Sequence, residues 1–237
     1  KEMTDSINKM AEELENTEVL RSDFVNNFSH EFKTPIVSIS GFAKLLKTEN
    51  ITEEQRREYL DIIEEESRRL SAMATNVLNL TKVENQTILT DVSSFNLSEQ
   101  IRTCVLILED KWTAKQIDLQ LDFDEISVVG SEELLRQVWL NLLDNAIKFT
   151  PCGGTVFIRI RQDEKSISVD VANTGSSISS KERIFAKFYQ CDTSHSTQGN
   201  GVGLAVVKRI VDLHSGIVFV ESKNDMTTFT VMLPKIK

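Results

Sequence analysis

The hydrophobic period of this chain changes near residue 84, and no other feature constrains the fold as strongly. Upstream, apolar residues recur every three or four positions, as on a helix; from about Ile117 onward they alternate, as on half-buried strands. On a helical wheel of about 100° per residue, Phe24, Phe28, Phe32, Ile39, Phe42 and Leu46 lie within about 40° of one line. His30 points about 200° from that line, beside Thr34, so both are expected to face solvent. A structural histidine belongs on the packed side; this one is placed to meet something that comes to it. Pro35 removes one backbone donor and is expected to kink or loosen its turn.

Thr48-Glu49-Asn50 breaks the pattern, and Thr52 with Gln55 three residues on predicts a capping box. A second long helix is predicted to about Val83, with Leu60, Ile63, Leu70, Met73, Val77 and Leu80 as its apolar stripe. Two such helices form a hairpin that cannot bury both stripes alone, and dimerisation into a four-helix bundle solves this. Ahead of them, residues 1 to about 22 read as charged helix, with Ile7, Met10 and Leu14 opening a coiled-coil seam. So short a seam is marginal by itself. It either continues the next helix, pairs with another copy, or is a frayed amphipathic end.

Residues Glu84 to about Ser94 are polar and unpatterned and are taken as a linker. A helix is predicted from about Leu97 to Lys115 and another from Ser131 to Phe149. A third follows Gly203 to about His214. Strands are predicted around Ile117–Phe123, Val128-Val129, Val156–Ile160, Ile167–Val171, 217–222 and 227–233. Helices mixed with hairpin-like strands suggest an α+β sandwich, one sheet with helices on one face.

A net charge of −9 argues against nucleic acid or an anionic membrane surface as the main partner. It leaves nucleotides open, because their phosphates are held locally. Cys104, Cys152 and Cys191 have no ligand-like spacing and read as reduced thiols. No apolar run approaches the ~18 residues of a membrane span. The chain opens on Lys1, so further segments are expected upstream.

Several stretches carry chemistry. Asn141, Asn145 and Lys148 fall within about 40° of one helical line, well away from Leu135, Val138, Leu142 and Ala146. Two carboxamides and an ammonium on one stripe suit a metal-bound polyphosphate, and they also suit a plain solvated face. Asn173-Thr174-Gly175 ends a strand in a turn. Gly199, Gly201 and Gly203 alternate where a helix begins, which lets backbone approach a ligand and offers free N–H groups to phosphate. Glycine turns also simply cap helices. Phe185 and Phe188, three apart, read alone as a core anchor.

Taken in order, HExxTP, NxxxNAxKFTP, NTG, IFxxFY and GxGxGLAVVKxIV resemble the motif series of the sensor histidine kinases over almost the whole chain. The resemblance implies an ATP-dependent protein-histidine kinase core. Residues 1–20 are similar to the end of a HAMP-like signalling helix, and 21–84 to a dimerising phosphotransfer domain. Residues 85–94 would be the linker and 95–237 the ATP-binding domain. His30 matches the phosphoacceptor and Glu31 its acid–base partner. Thr34 matches the residue that positions water for phosphatase activity. Asn145 is similar to the Mg²⁺ ligand, Asn141 to its supporting asparagine and Lys148 to the phosphate-contacting lysine. Phe149, Asn173, Gly175, Gly199, Gly201, Gly203 and Leu204 would complete the ATP site, with Phe185 and Phe188 anchoring the lid. A response regulator, a homodimeric state and a cytoplasmic position below a bacterial membrane sensor are likewise implied.

One stretch departs from the family. Its adenine-binding turn reads D-x-G-x-G, whereas here Asn173 stands at the Asp position and Ser177 at the second glycine, and the segment from Ile178 to Phe185 is shorter. An Asn oxygen still accepts a hydrogen bond, more weakly than a carboxylate by on the order of 1 kcal/mol. Two other classes stay in view: an ATPase of the same nucleotide fold, as in topoisomerases and mismatch-repair proteins, against which HExxTP on a two-helix hairpin argues, and a pseudokinase whose adenine-binding turn has drifted and whose helices only dimerise. Release of free phosphate marks the first and lack of nucleotide binding the second. His195 reads as a solvated side chain and His214 as an imidazole favoured by a helix C-terminus.

Overall fold

A computed structural model describes residue 29 and residues 31–48, 51–175, 184–186 and 201–235. The chain divides into two compact units, Lys1–Leu78 and Asn79–Lys237. The coiled-coil expectation for residues 1–22 lies outside the described residues, as do His30, Ser177, Phe188, Cys191, His195 and Gly199.

The first unit is a helical hairpin. Helix α1 covers 31–45 and runs on through Pro35, which is buried. Helix α2, Glu53–Asn85, starts at the predicted capping box. Thr52 N–H donates to Gln55 Oε1 at 3.0 Å, and Gln55 N–H donates to Thr52 Oγ1 at 3.2 Å. Phe42 and Tyr59 tilt against each other across the hairpin with ring centroids 5.3 Å apart. Phe32, Ile39, Phe42 and Leu46 are each half-buried, as expected of a stripe that two helices cover only in part, and Thr34 is exposed. Leu60 of the second stripe is 50 % exposed within one hairpin, and its neighbour Tyr59 makes the ring contact with Phe42.

In the second unit, strand β1 (Val92–Asn96) pairs antiparallel with β3 (Ser127–Ser131) as a two-stranded ribbon. Part of the segment read as an unpatterned linker is therefore strand. Ser93, Ser94 and Asn96 carry no apolar alternation, and only pairing makes them extended. Asn96 then caps α3 (Leu97–Ile107), its side chain accepting from Glu99 N–H at 3.0 Å.

The helix predicted from Leu97 to Lys115 is two helices. It breaks at Leu108 (φ −100°, ψ 13°), and α4 resumes over Glu109–Ala114. The Trp112 indole N–H donates to the Val105 carbonyl at 3.1 Å, which gives that carbonyl a side-chain donor beside the break. A bond between residues seven apart is invisible in a pattern of three- and four-residue spacings.

Five strands form the main sheet in the order β2-β4-β5-β7-β6: β2 Asp118–Asp122, β4 Thr155–Gln162, β5 Ser166–Thr174, β6 Ile217–Lys223 and β7 Met226–Pro234. Two apolar rows cross it in register, Ile158–Val171–Phe229–Val220 and Ile160–Val169–Val231–Val218, all buried. Alternate residues such as Phe219 and Arg159 are exposed, so one face is covered and the other open. The hairpin-like expectation fails at one edge. β2 runs parallel to β4, because β3 and α5 intervene as a crossover.

Helix α5 (Glu132–Phe149) and helix α6 (Gly203–Leu213) supply the covering core, with Leu135, Val138, Leu142, Val207, Ile210 and Val211 at or near zero exposure. His214 stands at the C-terminal end of α6, as the sequence suggests, but is not solvent-facing there. It is buried, its Nε2 accepts from Ser131 N–H at 3.0 Å, and its Nδ1 lies 2.8 Å from the Ile210 carbonyl. Those partners select the neutral tautomer with the proton on Nδ1. Burial pushes its pKa down, against the smaller upward pull of the Ile210 carbonyl. Cys104 is buried and its thiol is pushed up to about 11 by that burial, whereas Cys152 is exposed.

Candidate functional site

In the hairpin unit the two described residues of the expected phosphoacceptor site lie on α1. Thr34 faces out. The Glu31 carboxylate meets Arg69 of α2 at 3.3 Å, and Arg69 also lies 3.8 Å from Glu66. Arg69 was not legible beforehand, since Arg68-Arg69 reads as one more charged pair on a charged helix.

In the second unit the polar stripe of α5 forms as predicted. Asn141, Asn145 and Lys148 are all half-buried, while Leu135, Val138, Leu142 and Ala146 are fully packed on the opposite side. Asn141 is held at both ends. Its Nδ2 donates to the Gln137 carbonyl at 2.8 Å. Its Oδ1 lies where a Cβ on Gly203 would come within 2.7 Å, so the first residue of α6 sits directly on this carboxamide. Any larger residue there would push the Asn141 carboxamide aside. The Asn145 carboxamide makes no hydrogen bond among the described residues.

Lys148 spreads its ammonium over the Phe149 ring, 4.9 Å from the centroid. Burial pushes its pKa down; Asp144 opposes that shift and Lys115 adds to it. An ammonium in this setting gains more than an exposed one would from an incoming anion. Lys115 itself is a residue the motifs did not indicate. Its Nζ donates to the carbonyls of Ile147 (3.0 Å), Lys148 (2.7 Å) and Thr150 (3.1 Å). One ammonium thus gathers the carbonyls at the C-terminal end of α5, where the helix dipole favours a cation. It fixes the turn that carries Lys148 and Phe149.

Asn173 ends β5 at 2 % exposure, in register with Thr227 of β7, which is 1 % exposed. Its Nδ2 donates to the Thr174 carbonyl at 3.3 Å. Gly175 follows with φ 84°, and its N–H donates to the Asp225 carbonyl at 2.8 Å. A side chain there would meet the ring of Pro151, whose Cδ lies 2.5 Å from the ideal Cβ position. The Phe-Thr-Pro stretch after α5 and the turn after β5 are therefore built around each other. Thr227 and Pro151 had no signal in the sequence that tied them to Asn173 or Gly175.

Gly201 has φ 60°, Val202 is buried, and α6 starts at Gly203 with no side-chain cap among the described residues. The N–H groups at a helix start of this kind suit an anion. Leu204 packs half-buried against the core. Phe185 stands edge-on to Phe229 of the inner sheet row, centroids 6.4 Å apart, and neighbouring Ile184 is buried. The second unit thus brings together Asn141, Asn145, Lys148 and Phe149 on α5 and Gly203 and Leu204 at the start of α6.

Comparisons with known proteins point the same way. Residues 20–86 match the His Kinase A (phospho-acceptor) domain, and residues 130–237 match the histidine kinase-, DNA gyrase B- and HSP90-like ATPases. The heme sensor protein HssS of Staphylococcus saprophyticus is 34 % identical over 233 residues, covering 96 % of this chain and 50 % of its own length. The HssS of Staphylococcus aureus (strain Newman) is 33 % identical over 231 residues, with the same coverage. The chain spans about half the length of these curated relatives. Histidine kinase ThkA, solved in complex with the response regulator protein TrrA, is similar over 96 % of this chain and 66 % of its own, with TM-score 0.76 and 27 % identity. Histidine kinase AdeS of Acinetobacter baumannii shares the fold at TM-score 0.70 and 21 % identity, over 88 % of this chain and 98 % of its own.

Proposed function

Because this chain belongs to the sensor histidine kinases of two-component signalling, carrying their phosphoacceptor and ATPase domains, we propose that it transfers the γ-phosphoryl group of Mg·ATP to His30. The observation that carries this is the α5 stripe of Asn141, Asn145 and Lys148, seated against the glycine start of α6. Transfer is in line: the bond from the γ-phosphorus to the bridging oxygen of ADP breaks as the bond to an imidazole nitrogen forms. Glu31 takes the imidazole proton, and Arg69 holds its carboxylate. Catalysis is then mostly positioning and charge neutralisation.

The residues present fit a magnesium ion brought with the triphosphate. Asn145 offers one neutral oxygen with no competing hydrogen bond among the described residues. An octahedral Mg²⁺ that keeps waters and phosphate oxygens needs little more from the protein. Bound there, the ion would neutralise triphosphate charge. Lys148 contributes the adjacent positive charge, and Asn173 accepts from the adenine amino group in its buried position.

Phosphohistidine passes its phosphoryl group to an aspartate of a response regulator, and exposed Thr34 orients water for the reverse, phosphatase direction. A second copy covers the half-exposed hairpin stripe, giving a homodimer. The likeness to ThkA over 96 % of this chain, in a structure that holds a response regulator, supports the partner. A place beneath a membrane sensor rests on the family resemblance, and the chain spans about half the length of HssS; among the described residues no helix is long and apolar enough to cross a membrane.

Purified protein given radiolabelled Mg·ATP is expected to acquire acid-labile, alkali-stable label, and the His30→Gln variant none. Equal labelling of the two would overturn the assignment.

A further inference from the structure

Helix α6 reaches from the nucleotide site to a second place of interest. Its first residue, Gly203, sits on Asn141. Arg209, two turns on, is half-buried and turned toward the C-terminal end of α2. Its guanidinium donates to the Gln86 carbonyl at 2.6 Å, and more weakly to those of Val83 and Glu84, each at 3.4 Å. Carbonyls at the end of a helix have no partner within the helix. A planar fork of N–H donors suits several of them at once. Leu80 and Val83, on the same final turns, are buried in the core of the second unit at 4 % and 1 % exposure. The end of α2 is therefore packed and hydrogen-bonded as a component of the ATP-binding unit, and the boundary between the units falls at Leu78, within the helix.

Resting on the kinase reading, we propose that Arg209 is a positioning residue. It latches the last turns of α2 to the nucleotide unit and so sets the pivot about which that unit moves to reach His30. With the latch closed, residues 80–86 travel with the nucleotide unit, and bending falls on α2 near Leu78. With the latch open, the stretch from 80 to 91 loosens, Leu80 and Val83 being held by apolar contact alone. A longer, looser tether lowers the effective concentration of bound ATP at His30 without touching the nucleotide site. Because Gly203 and Arg209 share one short helix, a shift of the α6 start when nucleotide seats on Asn141 is passed to the latch.

Hydrogen exchange on the full chain tests this directly. Without nucleotide, amides of residues 80–86 should exchange about tenfold faster in Arg209→Ala than in wild type. Arg209→Lys, which can still reach one carbonyl, should fall between. Unchanged exchange in Arg209→Ala overturns the latch. Autophosphorylation by Arg209→Ala should show kcat lower by about fivefold with KM for ATP within about twofold, and Arg209→Lys should recover part of the loss. A raised KM with unchanged kcat means that Arg209 only supports the nucleotide fold, and overturns the positioning role. Adding a non-hydrolysable Mg·ATP analogue should alter exchange at 80–86 in wild type; binding without such a change overturns the coupling. If wild type takes no label on His30, the kinase reading falls, while exchange in the nucleotide-free chain still decides the latch.

Discussion

Gly203 stands so close to Asn141 that a Cβ added to it would lie 2.7 Å from Asn141 Oδ1. The contact joins the glycine segment to the α5 stripe, and a side chain at this position would have to displace the Asn141 carboxamide.

Substituting Gly203→Ala should separate binding from folding. The clash falls on the tip of a half-buried side chain, which can rotate away, so the melting temperature should move by only a few degrees. Rotation would turn Asn141 away from Asn145 and the phosphates. Affinity for Mg·ATP is expected to drop about tenfold, read by nucleotide titration. An unaltered affinity would show that Asn141 is structural only.

Lys115→Met should affect the same site from outside it. The variant keeps the aliphatic stem and removes the donors to Ile147, Lys148 and Thr150. A loss of about 1–3 kcal/mol is expected in chemical denaturation, since charge-assisted hydrogen bonds at a helix end disappear. Nucleotide affinity should fall with it, because the turn bearing Lys148 and Phe149 loosens.

Asn173→Asp, which restores the family's usual residue, should act in two directions. A carboxylate accepts the adenine amino hydrogen more strongly, so affinity for ATP should rise about fivefold. In the nucleotide-free protein the same carboxylate is buried opposite Thr227, which should lower stability by about 1–3 kcal/mol. Thermal melts with and without Mg·ATP would reveal both, as a lower baseline and a larger nucleotide-dependent rise.

His214 predicts a pH dependence. Its folded-state pKa is lowered, chiefly by burial. The unfolded chain therefore binds the proton first as pH falls below the ordinary imidazole value. Stability from this group is complete above about pH 6.5 and is lost below it, down to the folded pKa, with a slope of at most about 1.4 kcal/mol per pH unit. Denaturation of wild type and His214→Gln between pH 5 and pH 8 should show the extra slope in wild type alone.

Much of the chain was legible in sequence because its signals are local. The capping box of Thr52 and Gln55 needs only residues three apart. The alternation of Val156, Ile158 and Ile160 needs only a strand with one buried face. The same holds for the α5 stripe, where spacing alone places Asn141, Asn145 and Lys148 on one side. The motif order then suggested a family that the comparisons bear out. Local signals also misled where a bond outside the helical spacing intervened. The Leu97–Lys115 pattern is helical throughout, yet it breaks at Leu108 beside a Trp112–Val105 bond.

What this sequence determined by itself is therefore its periodicities: two helices with one apolar stripe each, a sheet with one covered face, and polar and glycine positions on predictable sides. Tertiary structure alone decided the parallel pairing of β2 with β4, the Lys115 cap, the neutral His214 and the grip of Arg209 on the end of α2. The physical reason is the same in each case. Backbone groups left over at the end of a helix or edge of a sheet take whatever donor or acceptor packing brings near, and the donors here come from 32 to 126 residues away in the chain.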